Sequence, residues 1–355
     1  MDRRDFLRWL AGLSGGAAAA ALVGCDRPDR RDPEGPVEPD PHPDPLDEGG
    51  GGDDGDDEAY QSTLAVIYAE DRAEGVHRAL ELLDRDFRNQ SIFLKPNFNS
   101  ADPPPGSTHN EVLRAMVRHL QDQRADSIIV GDRSGMGETR EVMRAKQIFT
   151  MADTMGFDTL VFDELERDQW ELIENDDHWP NGFALPRPVL EADAYVQTCC
   201  LKTHRFGGHF TMALKNNVGL VAKELPGEAH DFMSELHDSE HQRLMIAEIN
   251  QAVSHDLIVL DAVEGFYEEG PDKGPVAQFN AVIAGNDPVA IDALGVALLR
   301  RHGTTSEVAD GPIAELEQIA RAVELGVGTI DPDEIRFLTD DDASQSLVDE
   351  LVALL

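Results

Sequence analysis

Lysine is scarce in this chain. Only six stand among its 30 basic residues: Lys95, Lys146, Lys202, Lys215, Lys223 and Lys273. Cysteine is scarcer, with Cys25, Cys199 and Cys200 as the whole complement. Cys199 and Cys200 are neighbours, a poor geometry for a disulfide, and a ferredoxin-type cluster needs four cysteines at set spacings. No iron–sulfur cluster is therefore expected in this chain. Positive charge is also short: 69 acidic residues against 30 basic ones give a formal charge of −39. A field this negative argues against nucleic acid as a partner. It suits a halophilic, high-salt milieu, where screening removes self-repulsion. The apolar segment Trp9–Val23 falls short of the ~20 residues a membrane-spanning helix needs.

What flanks that segment is informative. Arg3-Arg4-Asp5-Phe6-Leu7-Arg8 precedes it and Leu22-Val23-Gly24-Cys25 closes it. Twin arginines, a short greasy stretch and a small residue before cysteine resemble a twin-arginine export signal ending in a lipoprotein cleavage box. The expectation is export by the twin-arginine route and lipid on Cys25. The chain would then be membrane-anchored, on the outer side of the cytoplasmic membrane or in the periplasm. Residues 26–61 follow as a linker in which prolines alternate with acids before Gly49-Gly50-Gly51-Gly52, a composition that buries no core. Residues 62–355 are read as one α/β domain.

Within 62–355, short β-branched runs alternate with helical periodicity. Strands are predicted at Ser62–Tyr68, Ser91–Leu94, Ser127–Val130, Thr159–Phe162, Tyr195–Leu201, Leu257–Leu260, Phe279–Ala284 and Ile335–Leu338, with a hairpin between Trp170 and Pro188. Val112, Met116, Val117 and Leu120 mark one helix, and 139–155, 241–254 and 287–300 read as others. This order predicts an α/β fold: a mostly parallel sheet with helices on both faces and an irregular insertion near 203–240.

Ligands of such sheets sit beyond the carboxyl ends of the strands. The residues expected there are Lys95-Pro96-Asn97, Gly131-Asp132-Arg133-Ser134, Lys202-Thr203-His204, Asp261-Ala262 and Gly285-Asn286-Asp287-Pro288. A chain that otherwise uses arginine has kept lysine at Lys95, Lys202 and Lys215. An ammonium is a compact point charge whose pKa falls on desolvation, which a guanidinium does not match. Lys202 and His204 share one side of a strand, and His204 could move protons or bind a metal. His204, His230 and His237 are the candidate metal ligands, although no H-E-x-x-H pattern is present. Asp287 followed by Pro288 reads as a helix cap. Asp292, one turn further in, could point back toward the site.

Taken in order, Lys95-Pro96-Asn97, Lys202-Thr203-His204, Leu214-Lys215-Asn216-Asn217-Val218-Gly219, Asp261-Ala262, Gly274-Pro275 and Asn286-Asp287-Pro288-Val289-Ala290-Ile291-Asp292 resemble the domain-of-unknown-function family 362, over about 90–300. The resemblance implies the domain limits and the site region and supplies no reaction. Some members carry ferredoxin-type cluster domains, whose cysteines this chain lacks.

The expectation is a cleft for a small anionic or metal-bearing ligand. Lys202, His204 and Lys215 would do any chemistry, as in a redox- or metal-linked enzyme. Lys95, Asn97, Asn216, Asn217, Gly219, Asp261 and Asp292 would shape the ligand site. The identity of any cofactor is open. A non-catalytic anion-binding module is the alternative, and so is a scaffold of a membrane complex with a redox protein partner.

Overall fold

A computed structural model describes residues 60–355 except Asp176. The signal-like segment, Cys25 and the linker up to residue 59 lie outside the described residues. The main sheet contains β1 (Ser62–Tyr68), β2 (Ser91–Lys95), β3 (Ser127–Asp132), β4 (Asp158–Val161), β7 (Ala194–His204), β9 (Leu257–Phe266), β10 (Val276–Gly285) and β11 (Ile335–Leu338). β5 (Trp170–Ile173) and β6 (Phe183–Pro186) form the separate hairpin, and β8 (His209–Phe210) folds back on β7. The strand order is β11-β1-β10-β9-β7-β2-β3-β4. All of these run the same way except β10, which pairs antiparallel with both β1 and β9. The fold is a mixed, mostly parallel α/β sheet, as the alternation predicts.

β7 lies in the middle of the sheet, and all eleven of its residues are buried. Burial on both faces is why its sequence shows no regular apolar–polar alternation, with Gln197, Thr198, Lys202, Thr203 and His204 buried alongside its apolar residues. One face of the sheet presents Ala65, Ile67, Ile92, Leu94, Val130, Val196 and Val259. It is covered by α1 (Arg72–Leu83), α2 (Asn110–Asp122), α3 (Thr139–Ala145) and α4 (Ile148–Met155). α2 buries Val112, Leu113, Met116, Val117 and Leu120 at helical spacing, each worth about 1.5–3 kcal/mol relative to exposure. Against the opposite face pack α5 (Ala213–Asn216) and α8 (Pro288–His302), with α7 (Gln242–Ile249) packed on α5. Asp287 caps α8 by accepting the N–H groups of Val289 (2.8 Å) and Ala290 (2.9 Å). The insertion expected at 203–240 holds only short elements, among them β8, α5 and α6 (Phe232–Asp238). Among the described residues no helix is long and apolar enough to cross a membrane.

Two details of the sheet position the site. From β2 the chain moves outward through β3 and β4, then returns to place β7 on the other side of β2. Connections therefore leave β2 and β7 toward opposite faces, which opens a crevice at their carboxyl ends. The reversed β10 carries its carboxyl end to the other edge of the sheet. Gly285-Asn286-Asp287-Pro288 thus stands away from the crevice, a correction to the single edge expected from the sequence.

Candidate functional site

The crevice is a cavity of about 590 Å³. Lys95, Asn97, Asp132, Arg133, Lys202, His204, Lys215, Asn216 and Gly219 are among its lining residues. Lys95 ends β2, and its ammonium lies 2.7 Å from the carboxylate of Asp132, which ends the neighbouring β3. Both side chains are buried, at 1% exposure. Asp132 also accepts the N–H groups of Phe98 (2.7 Å) and Arg133 (2.8 Å). Burial pushes the Asp132 carboxyl up and the Lys95 ammonium down from their ordinary values, while their mutual attraction acts in the opposite sense.

A polar network ties this pair to β7 and α5. Lys202 donates to Asn97 Oδ1 (2.7 Å) and to the Gly106 carbonyl (2.6 Å). Asn97 Nδ2 donates to Asn216 Oδ1 (3.2 Å), which also lies 3.4 Å from Lys95 Nζ. Asn216 Nδ2 in turn donates to Gln197 Oε1 (2.8 Å) and the Thr198 carbonyl (3.3 Å). The two asparagines thus hold two lysines from different strands at fixed separation. Arg133 is spent on structure, donating to the carbonyls of Val221 (2.7 Å) and Val218 (2.6 Å).

Lys215 differs from the other cations. It is 8% exposed, yet among the described residues its ammonium has neither a hydrogen bond nor an ion pair. Burial, then the nearby Arg133 and Lys202, lower its pKa to about 8. Beside it, burial and the charges of Lys215 and Lys202 hold the His204 imidazole well below its usual range, so it is neutral at neutral pH. His204 Nδ1 accepts the Gly208 N–H (3.3 Å), which leaves the ring proton on Nε2. A Cβ at Gly208 would stand 2.8 Å from His204 Nδ1 and 2.9 Å from Lys215 Cε, so the two groups flank the same point. A Cβ at Gly219 would meet Lys95 Nζ at 2.7 Å and Asp132 Oδ1 at 2.8 Å. Glycine there keeps the floor of the cleft open.

Four of the six lysines line this cavity: Lys95, Lys202, Lys215 and Lys223. Other residues singled out in the sequence lie elsewhere. Asp261 is inside β9, which continues past it to Phe266, and its carboxylate takes the Arg72 guanidinium at 3.0 Å. Asp292 is fully buried behind α5, where it accepts the N–H groups of Ala213 (2.7 Å) and Leu214 (3.3 Å). It therefore anchors the helix that carries Lys215 without touching the cleft. Asn217 accepts from the Tyr195 hydroxyl (2.5 Å) and donates to Asn250 (2.8 Å). His230 pairs with Glu235 (2.6 Å), while His237 lies at the cavity mouth with Nδ1 2.7 Å from the Met233 carbonyl. Among the described residues no group of three or more His, Cys, Asp or Glu side chains is arranged to hold a metal ion. Asp132 and Arg133 stand on the predicted strand-end list without having been singled out. Gln197 lies mid-strand, where no sequence signal marks it.

Comparison with known proteins places these elements in context. The chain is similar to a thylakoid-associated protein of Synechocystis sp., with 24% identity over 203 residues, or 57% of this chain and 60% of that protein. It therefore spans less than two thirds of that relative's length. The lactate racemase apoprotein of Thermoanaerobacterium thermosaccharolyticum shares 13% identity at a TM-score of 0.39, covering 83% of this chain and 87% of that one. The family model described as Domain of unknown function (DUF362) matches residues 92–297, more than half of the chain and the span from β2 into α8. The chain belongs to the DUF362 family.

Proposed function

We propose that the cleft binds a small anionic ligand between Lys202 and Lys215. The observation that carries this reading is a surplus of buried positive charge. Lys95, Arg133, Lys202 and Lys215 are all at most 8% exposed, and among the described residues Asp132 is the one buried carboxylate lining the cavity with them. Isolated buried charges are costly unless paired. With Lys95 taken by Asp132 and Arg133 by backbone carbonyls, Lys202 keeps one N–H donor and Lys215 three for a ligand. In a protein of charge −39, such a pocket is a local inversion of the field.

Calorimetric titration with inorganic phosphate and acetate tests the reading. Charged hydrogen bonds contribute about 1.5–3 kcal/mol, so Lys202→Met and Lys215→Met should each weaken binding by roughly 10- to 150-fold. Absence of binding to wild-type protein, or affinity unchanged in both variants, would defeat the proposal.

A second reading rests on His204 and Lys215 flanking one point. A neutral imidazole beside an amine titrating near 8 is suited to moving a proton on a bound anion. That reading makes the protein an enzyme, with Lys215 and His204 in its chemistry. His204→Gln would then abolish turnover of a bound substrate while leaving anion affinity within a few-fold. The address is likewise a proposal: lipid on Cys25 would tether this cleft outside the cytoplasm. Mass spectrometry of the N-terminal peptide from native membranes, with Cys25→Ala as control, tests it; an unmodified Cys25 would remove the tether.

A further inference from the structure

The cleft is chemically segregated along its depth. Its four buried cations, Lys95, Arg133, Lys202 and Lys215, stand at the base, whereas the mouth is lined by large apolar side chains and by acids, with the half-exposed Lys223 directed to Asp163 at 3.7 Å. Met136, on the loop after β3, is 46% exposed, and Phe206, on the turn after β7, is 50% exposed. Both line the cavity, with the half-buried Met233 between base and rim. Glu224, Asp231 and Asp238 line it too, and Glu224 and Asp238 are exposed. A neighbouring cavity of about 300 Å³ shares Lys223 and Glu224 with the first and is walled by Phe162, Leu165, Trp170 and Pro226.

Size adds a constraint. A volume of about 590 Å³ is in the range of pockets for small organic ligands, roughly 300–1,000 Å³, and far above the ~30 Å³ share of a single water. An inorganic ion at the base would leave most of the space unfilled. Exposed methionine and phenylalanine from two separate loops lining one cavity gain by covering an apolar body. Three carboxylates around that mouth repel a second negative charge.

We infer that the ligand is an amphipathic acid: one anionic head group seated on Lys202 and Lys215, and an uncharged apolar body lying against Met136, Phe206 and Met233. Nucleotides, polyphosphates and dicarboxylates are disfavoured, since their further charges would meet Glu224, Asp231 and Asp238. This inference rests on the anion-binding reading and specifies its ligand.

The test is a chain-length series of unbranched carboxylates (acetate, butyrate, hexanoate, octanoate) titrated into the full chain, with succinate and ATP alongside. Burial of each methylene should tighten binding about fourfold until the cavity is filled, and the whole series should weaken in Lys215→Met. Phe206→Ser, at an exposed position, should lower hexanoate affinity about tenfold and leave acetate unchanged. Acetate binding with no gain along the series would overturn the inference and leave the anion reading standing. Succinate or ATP binding tighter than hexanoate would do the same. Failure of every acid to bind wild-type protein would remove both.

Discussion

Replacing Asp132 with asparagine isolates the one ion pair on which the base of the cleft depends. Asp132 takes three donors: Lys95 Nζ and the N–H groups of Phe98 and Arg133, all within 2.8 Å. Asparagine keeps the shape and one acceptor oxygen. Its amide NH₂ replaces the other oxygen and must then face a donor. More important, Lys95 is left as an unpaired cation at 1% exposure. Breaking a buried pair from one side costs about 3–5 kcal/mol. For a domain of this size that corresponds to a melting-point loss of roughly 5–8 °C. Urea denaturation followed by circular dichroism should show a lower midpoint with an unchanged slope, the sign of altered stability without altered compactness. The double variant Lys95→Met with Asp132→Asn removes both charges and should recover most of the loss, because neutral replacement of a buried pair is often close to neutral. Phosphate should also stabilise Asp132→Asn more than wild type, by supplying the missing negative charge. A single variant within 1 kcal/mol of wild type, or a double variant as unstable as the single, would refute the reasoning, since Lys95 would then not need its partner.

Three further outcomes follow from the same geometry. Gly219→Ala places a methyl 2.7 Å from Lys95 Nζ; it should cost about 1–3 kcal/mol by overpacking and weaken phosphate binding in the same titration. Anion affinity should be highest below pH 8 and fall as pH rises through about 8, where Lys215 loses its proton. Because that folded value lies below a lysine's ordinary 10.5, the empty protein should gain stability between the two values, by on the order of 3 kcal/mol at 1.36 kcal/mol per pH unit; Lys215→Met should show neither dependence in paired titrations and melts. Asp292→Ala leaves the N–H groups of Ala213 and Leu214 without their acceptor, so it should cost about 1–3 kcal/mol and reduce anion affinity by displacing Lys215. Melting curves and calorimetry on one preparation check both effects.

The strands were legible because each is a short apolar run closed by polar or turn residues, and their alternation with helices specified a parallel sheet. Direction was not legible for β10, whose sequence reads like any buried strand. Only its pairing with β1 and β9 reveals the reversal. The rule that ligands gather beyond carboxyl ends, together with lysine scarcity, located Lys95, Asn97, Lys202, His204, Lys215 and Asn216, which do share one cavity. It misplaced Asp261 and Asn217 for a physical reason. The rule chooses an edge, whereas the alternation of side chains and the length of the strand choose a face. β9 runs five residues past Asp261, so that carboxylate meets α1 instead of solvent. Asp292 shows a third case, in which a polar residue expected at the site supports it from behind. The apolar mouth formed by Met136 and Phe206 went unread, because single exposed hydrophobes carry no pattern until folding brings two loops together.

The reversed strand also dictates when the molecule can close. Among the described residues β1 pairs with β10 and β11, with Leu64 opposite Gly285 and Ser62 opposite Ile335. At ribosomal speeds of roughly 5–20 residues per second, the first strand waits on the order of tens of seconds for its partner to be made. Until then β2, β3, β4 and β7 can assemble the base of the cleft, but the sheet keeps an open border. Completion is therefore a late, long-range event, and a chaperone that shields residues 62–68 during that interval would act where this topology is most vulnerable.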